Sequence, residues 1–227
     1  MSGINYLSLF ISPVIAIILI AFMNYRFQVK TNSYMIQAVI IGLISAVLVL
    51  ASQFLAEAFG LDSLRNLKRT AFYTFVVIGF ASELGKFIFL RYYFLPREKF
   101  SGPLDGIIYS MLIAVGFSTT ATVLLGFNII GAGVNTMYLF LFSIANIVFA
   151  IIMGFFVGLG KSRENRFIDS MTGLFAATFL HGLYAFSFIT KDYRLLILFA
   201  IGSIVIVILL SAKAVNLKAS ARYDNKQ

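Results

Sequence analysis

Seven apolar runs follow one another along the chain, at residues 7–23, 35–59, 71–94, 104–127, 136–159, 170–189 and 195–215. Each is long enough to cross the hydrocarbon core of a bilayer. In hydrocarbon a backbone must satisfy its own hydrogen bonds within the segment, so runs of this length predict transmembrane helices. The stretches between them are short and hold most of the Asn, Pro and basic residues. The pattern therefore predicts an all-α polytopic membrane protein, about seven helices in one bundle, with residues 1–227 forming a single membrane domain.

Punctuation within the pattern supports these divisions. Pro13 sits about two turns into the first run, where it kinks a helix, and no cleavage site of the usual kind follows. Gln37, Gln53 and Glu57 dot the second run at positions expected to face protein or the interface. The link from Gly60 to Thr70 alternates apolar and basic residues and predicts a short amphipathic helix on the membrane surface. Pro96 to Pro103 reads as a sharp turn, and Asn128 to Asn135 as an uncharged, Gly-containing one. Gly154 and Gly158 make a close-packing face near the end of the fifth run.

Composition narrows the function. With 60% hydrophobic residues, 12% charged residues and no cysteine, the chain has no disulfide, thiolate metal site or cysteine nucleophile. The net charge of +9 is spread over short loops and the tail, so it reads as a topology signal and not as a nucleic-acid surface. An outside N-terminus places twelve basic residues on the cytoplasmic side, among them Arg26, Lys30, Arg97, Lys99, Lys161 and Arg163, against five outside: Arg65, Lys68, Arg69, Lys191 and Arg194. The chain is thus expected to have its N-terminus outside and its C-terminus in the cytoplasm.

Two charges break the third run. Glu83 and Lys86 lie three residues apart, on one helical face, where they can pair. An isolated charge at mid-membrane costs roughly 2.5–3.5 kcal/mol, so the pair is either a buried structural contact or part of a functional site. At about 1.5 Å per residue, Glu83, Asn146 and His181 lie at roughly 18, 15 and 12 Å from the outer ends of their spans, a shared polar layer. His181 is the single histidine, and Asn146 the one strongly polar residue inside the fifth run. Each is also readable as interhelical hydrogen bonding, the more frequent role of such a residue inside a membrane helix. Asp105, in the first turn of the fourth run, can be explained as a helix cap.

Ser82-Glu83-Leu84-Gly85-Lys86 resembles the Glu-Glu-x-x-Lys motif of the PrsW-type membrane proteases. Asp105-Gly106-Ile107-Ile108-Tyr109 with Gly116-Phe117 is similar to a second motif of that family. Leu180-His181-Gly182-Leu183-Tyr184 is similar to its final histidine motif, and the resemblance covers residues 79–186. It implies a multispanning protease fold of the kind whose bacterial members cut single-span proteins such as anti-sigma factors, and hence a home in a bacterial cytoplasmic (inner) membrane. Three positions depart from the family pattern. Ser82 replaces the first Glu, Ala121 stands where a Glu is expected four residues after Phe117, and Asn146 replaces a His.

What the resemblance implies about activity divides in two. The first expectation is a pseudoprotease: a protein that keeps the family's groove and binds a membrane partner helix, from a single-span protein, without cutting it. The alternative is an active divergent endopeptidase with Glu83 as base and His181 as its partner, supported by Lys86, Asp105, Asn146 and Ser82. No metal site is expected, because Glu83 and His181 are two ligands with Asn146 a weak third; a divalent metal comes into question only if the site is active. The lipid bilayer and a membrane protein are the expected partners, and nucleic acid is not.

Overall fold

Every regular element among the described residues is helical. The structure, a computed structural model, describes residues 7–27, 32–131, 134–161 and 163–224. In chain order the helices are α1 (Leu7–Phe27), α2 (Asn32–Ser45), α3 (Val47–Ala58), α4 (Leu67–Phe94), α5 (Pro103–Gly126), α6 (Thr136–Leu159), α7 (Arg166–Ile189) and α8 (Tyr193–Asp224). Among the described residues six spans are long and apolar enough to cross a membrane, with α2 and α3 counted as one span from Ser33 to Ala58. The apolar part of α1, Leu7–Phe22, is shorter. Together they form the polytopic bundle that the hydrophobic pattern predicts.

α5 lies at the centre, packed on α1, α2 and α6, while α6 and α7 pair and α7 packs on the first half of α4. Glycines allow the closest of these approaches. A Cβ added to Gly106 of α5 would fall 2.1 Å from the carbonyl oxygen of Gly154 in α6, and one on Gly116 would fall 2.1 Å from that of Val39 in α2. No side chain fits such gaps, so the backbones touch where lipid gives helices no hydrophobic reason to associate. The outer face of α8, with Ile197, Leu198, Ile201, Ile204 and Leu209 exposed, is apolar in the way a lipid-facing helix must be.

Two sequence expectations are corrected. The segment between α3 and α4 is no surface helix: residues 61–65 are irregular, and Asn66 caps α4 by accepting the Arg69 N–H at 3.0 Å. That side-chain acceptor satisfies a donor the first helical turn leaves free, so Lys68 and Arg69 belong to the start of the span. The second span is not one unbroken helix but is interrupted at Ala46, next to Ser45, whose hydroxyl donates to the Gly42 carbonyl at 2.7 Å. A hydroxyl bonded back onto the preceding turn is a common cause of such bends. Arg26 has no described side chain and Lys30 lies outside the described residues, as do both chain ends.

α4 carries the irregularity that matters for the site. Its backbone is π-helical over Tyr73–Phe80 and again over Leu90–Phe94, with an α-helical stretch, Ala81–Phe89, between them. Wide turns of this kind rotate the residues beyond them relative to an ideal helix and often flank functional positions. Ser82, Glu83 and Lys86 all fall within the α-helical stretch.

Candidate functional site

Glu83, Lys86, Asn146 and His181 meet in the interior, each fully buried. The Lys86 Nζ donates to Glu83 Oε1 at 2.6 Å and to Asn146 Oδ1 at 2.7 Å. Asn146 is oriented for this, because its Nδ2 donates to the Phe142 carbonyl one turn back at 2.9 Å. The Phe117 ring, its centroid 4.7 Å from Nζ, adds a cation–π contact. The ammonium therefore has a carboxylate, an amide oxygen and an aromatic face around it, which is what allows it to remain buried.

Glu83 Oε1 has a second partner, His181 Nδ1, at 2.7 Å. A carboxylate only accepts, so Nδ1 carries the proton and the neutral ring keeps its lone pair on Nε2. Phe149 lies against the imidazole at a centroid distance of 5.0 Å, and Phe142 meets it edge-on at 6.0 Å. Glu83 Oε2 and His181 Nε2 are buried atoms with no hydrogen-bond partner among the described residues. Such atoms are infrequent in interiors and mark a place to look for chemistry.

A cavity of about 520 Å³ reaches this centre. Ser82, Phe117, Ala121, Phe142 and His181 line its inner part, and Asp62, Asn128, Gly131 and Lys191 line the part among the loops at one end of the bundle. Gln53 also faces it, accepting a hydrogen bond from the Tyr73 hydroxyl at 3.1 Å. Glu83, Lys86 and Asn146 do not line it; Glu83 is bonded to His181, Lys86 lies against Phe117 and Asn146 is bonded to Phe142, three residues that do. At its inner end the cavity is thus bounded by the buried imidazole, while the Glu83 and Lys86 charges lie off the wall.

The shared depth read from the helical rise matches this cluster. Ser82 and Ala121, two of the three departures from the family pattern, are on the cavity wall, while Asn146 is turned to Lys86. Asp105 is not brought to the site. It sits at the start of α5, where its Oδ2 accepts from the Ser101 N–H at 2.7 Å and hydroxyl at 2.6 Å, and its Oδ1 accepts from Lys218 Nζ of α8 at 3.0 Å. The capping explanation accounts for it, with a tie to the last helix added. Sequence reasoning gave no role in the site to Phe142 or Phe149, because nothing separates them from most other phenylalanines in the chain except where they pack, and none to the Phe117 ring. For Phe117, its place in the Gly116-Phe117 motif was the available signal.

The family described as PrsW family intramembrane metalloprotease matches residues 30–212. Protease PrsW of Halalkalibacterium halodurans is 28% identical over 179 residues, covering 77% of this chain and 79% of that protein. Protease PrsW of Oceanobacillus iheyensis is 27% identical over 195 residues, 84% and 85% of the two chains. Protease PrsW of Bacillus subtilis is 29% identical over 119 residues, about half of each. No solved structure matches the chain.

The family's description implies a metal, and the residues do not fit one. Among the described residues no three His, Asp, Glu or Cys side chains are grouped so as to hold an ion. A catalytic zinc takes three protein ligands. This centre offers Glu83 and His181, and the amide oxygen that could stand third already accepts from Lys86.

Proposed function

The chain belongs to the PrsW family of intramembrane metalloproteases, and from that premise we propose that it holds a segment of a single-span membrane protein in the cavity above His181 without cutting it. The observation that carries this reading is the inner wall of the cavity. Peptide hydrolysis needs a base for water and donors for the oxyanion. Of the inner-wall residues only Ser82 and His181 are polar: Ala121 contributes a methyl group, and the Glu83 carboxylate and the Asn146 amide, both bonded to Lys86, are off the wall. What remains is largely apolar, with Phe117, Leu125, Tyr138 and Phe188 suited to side chains of a transmembrane or flanking segment. The charge distribution supports an outside N-terminus, which turns the cavity mouth outward from the cytoplasmic membrane of a bacterium.

One observation favours a second reading, metal-independent cleavage. Glu83 fixes the His181 tautomer, and His181 is on the cavity wall with Nε2 unpartnered. In that reading His181, not Glu83, is the base. Its Nε2 takes a proton from water as the water oxygen adds to the peptide carbonyl carbon, and returns the proton to the departing amine nitrogen as the C–N bond breaks. Glu83 then acts as the positioning group, which reverses the roles expected from sequence.

Co-expression with a panel of single-span membrane proteins separates the two. Retention of an intact partner by the native chain, lost in Ala121→Phe, which adds a ring to the cavity's inner wall, is the expected result. A cut partner that stays whole with His181→Gln at equal expression overturns the binding reading in favour of cleavage.

A further inference from the structure

We propose that the ammonium of Lys86 is the resident cation of the polar centre, and that it excludes the divalent metal its family's description implies. The inference does not depend on whether the chain binds or cuts its partner. Four observations carry it. The Lys86 Nζ lies 2.6 Å from Glu83 Oε1 and 2.7 Å from Asn146 Oδ1, so it occupies the position between the carboxylate and the amide oxygen of the layer. Asn146 is locked in that orientation by its bond to the Phe142 carbonyl. The Phe117 ring closes a further side of the ammonium. Glu83 Oε1 already accepts from two donors, which leaves one oxygen, Oε2, and one nitrogen, His181 Nε2, free in the cluster.

Charge and donor number then act together. One carboxylate against one ammonium is balanced, with neutral imidazole and amide beside them, so the fully buried cluster carries no net charge to attract an ion. A dication ligated by Glu83 Oε2 would stand within a few ångströms of the Lys86 ammonium, in surroundings that screen poorly. It would find two protein ligands where tight sites supply three or four. Expelling the ammonium to make room would strand a charged side chain inside the membrane.

Elemental analysis of the purified, detergent-solubilised full chain tests this, with thermal unfolding in Zn²⁺ and in chelator alongside. The native protein should carry far less than one metal per chain and show the same Tm in both conditions. One bound transition metal per chain, lost in Glu83→Gln or His181→Gln, overturns the proposal. Two variants then ask whether the ammonium is the cause. Asn146→His supplies a third ligand with Lys86 kept, and should still bind no Zn²⁺; combined with Lys86→Met it should bind about one Zn²⁺ per chain and gain Tm with added metal. Equal Zn²⁺ binding by the single and double variants would show that Lys86 excludes nothing. Should the double variant fail to fold, the native protein's metal content and the single variant decide the matter alone.

Discussion

Replacing Lys86 with Met removes the one cation of the buried cluster and leaves Glu83 with His181 alone and the Asn146 oxygen without its donor. At the observed 2.6 Å and an effective dielectric near 20, the gross attraction between the two charges is roughly 6 kcal/mol, set against desolvation of the same order. Breaking a buried pair from one side costs roughly 3–5 kcal/mol, because the remaining charge is still buried and now lacks its partner. The same range applies to Glu83→Gln, which leaves the ammonium facing neutral oxygens. The double variant Glu83→Gln/Lys86→Met strands no charge, so its loss should fall short of the summed single losses by up to about 3 kcal/mol. Unfolding of the detergent-solubilised protein by SDS titration, followed by circular dichroism, gives the three values needed. Strictly additive losses would mean that the two side chains do not interact in the folded bundle, and the geometry of the whole centre would then be wrong.

Gly106→Val should prevent normal association of α5 and α6, a loss of at least roughly 1–3 kcal/mol, whereas Gly202→Ala, with no neighbour near its Cβ, should leave stability unchanged or slightly raised in the same titration. Asn66→Ala removes the α4 cap and should cost about 1 kcal/mol, read as earlier exchange of the amides of the first turn of α4. In a chain without native cysteine, Arg65→Cys should react with an impermeant maleimide on intact cells and Glu98→Cys should react only after permeabilisation; the opposite result inverts the topology.

Local chemistry wrote the scaffold into the sequence. The run at 136–159 and helix α6 share their ends, because the hydrocarbon thickness fixes helix length and Asn135, accepting the Met137 N–H at 2.9 Å, caps the start. The polar layer was legible too, since depth along a helix is a matter of counting residues, and two charges in hydrocarbon need partners. Tertiary packing decided the rest. The carboxylate oxygen that Lys86 and His181 share, and the cavity that meets His181 but not Glu83, depend on the rotation of α4 between its π-helical stretches and on glycine contacts between backbones far apart in sequence. Asp105 finds Lys218 over a separation of 113 residues, and Asn146 finds Lys86 over 60. Hydrophobic periodicity reports how deep a residue lies and leaves its azimuth to packing, so the sequence could set these groups at one level while only the folded bundle could say which atoms meet.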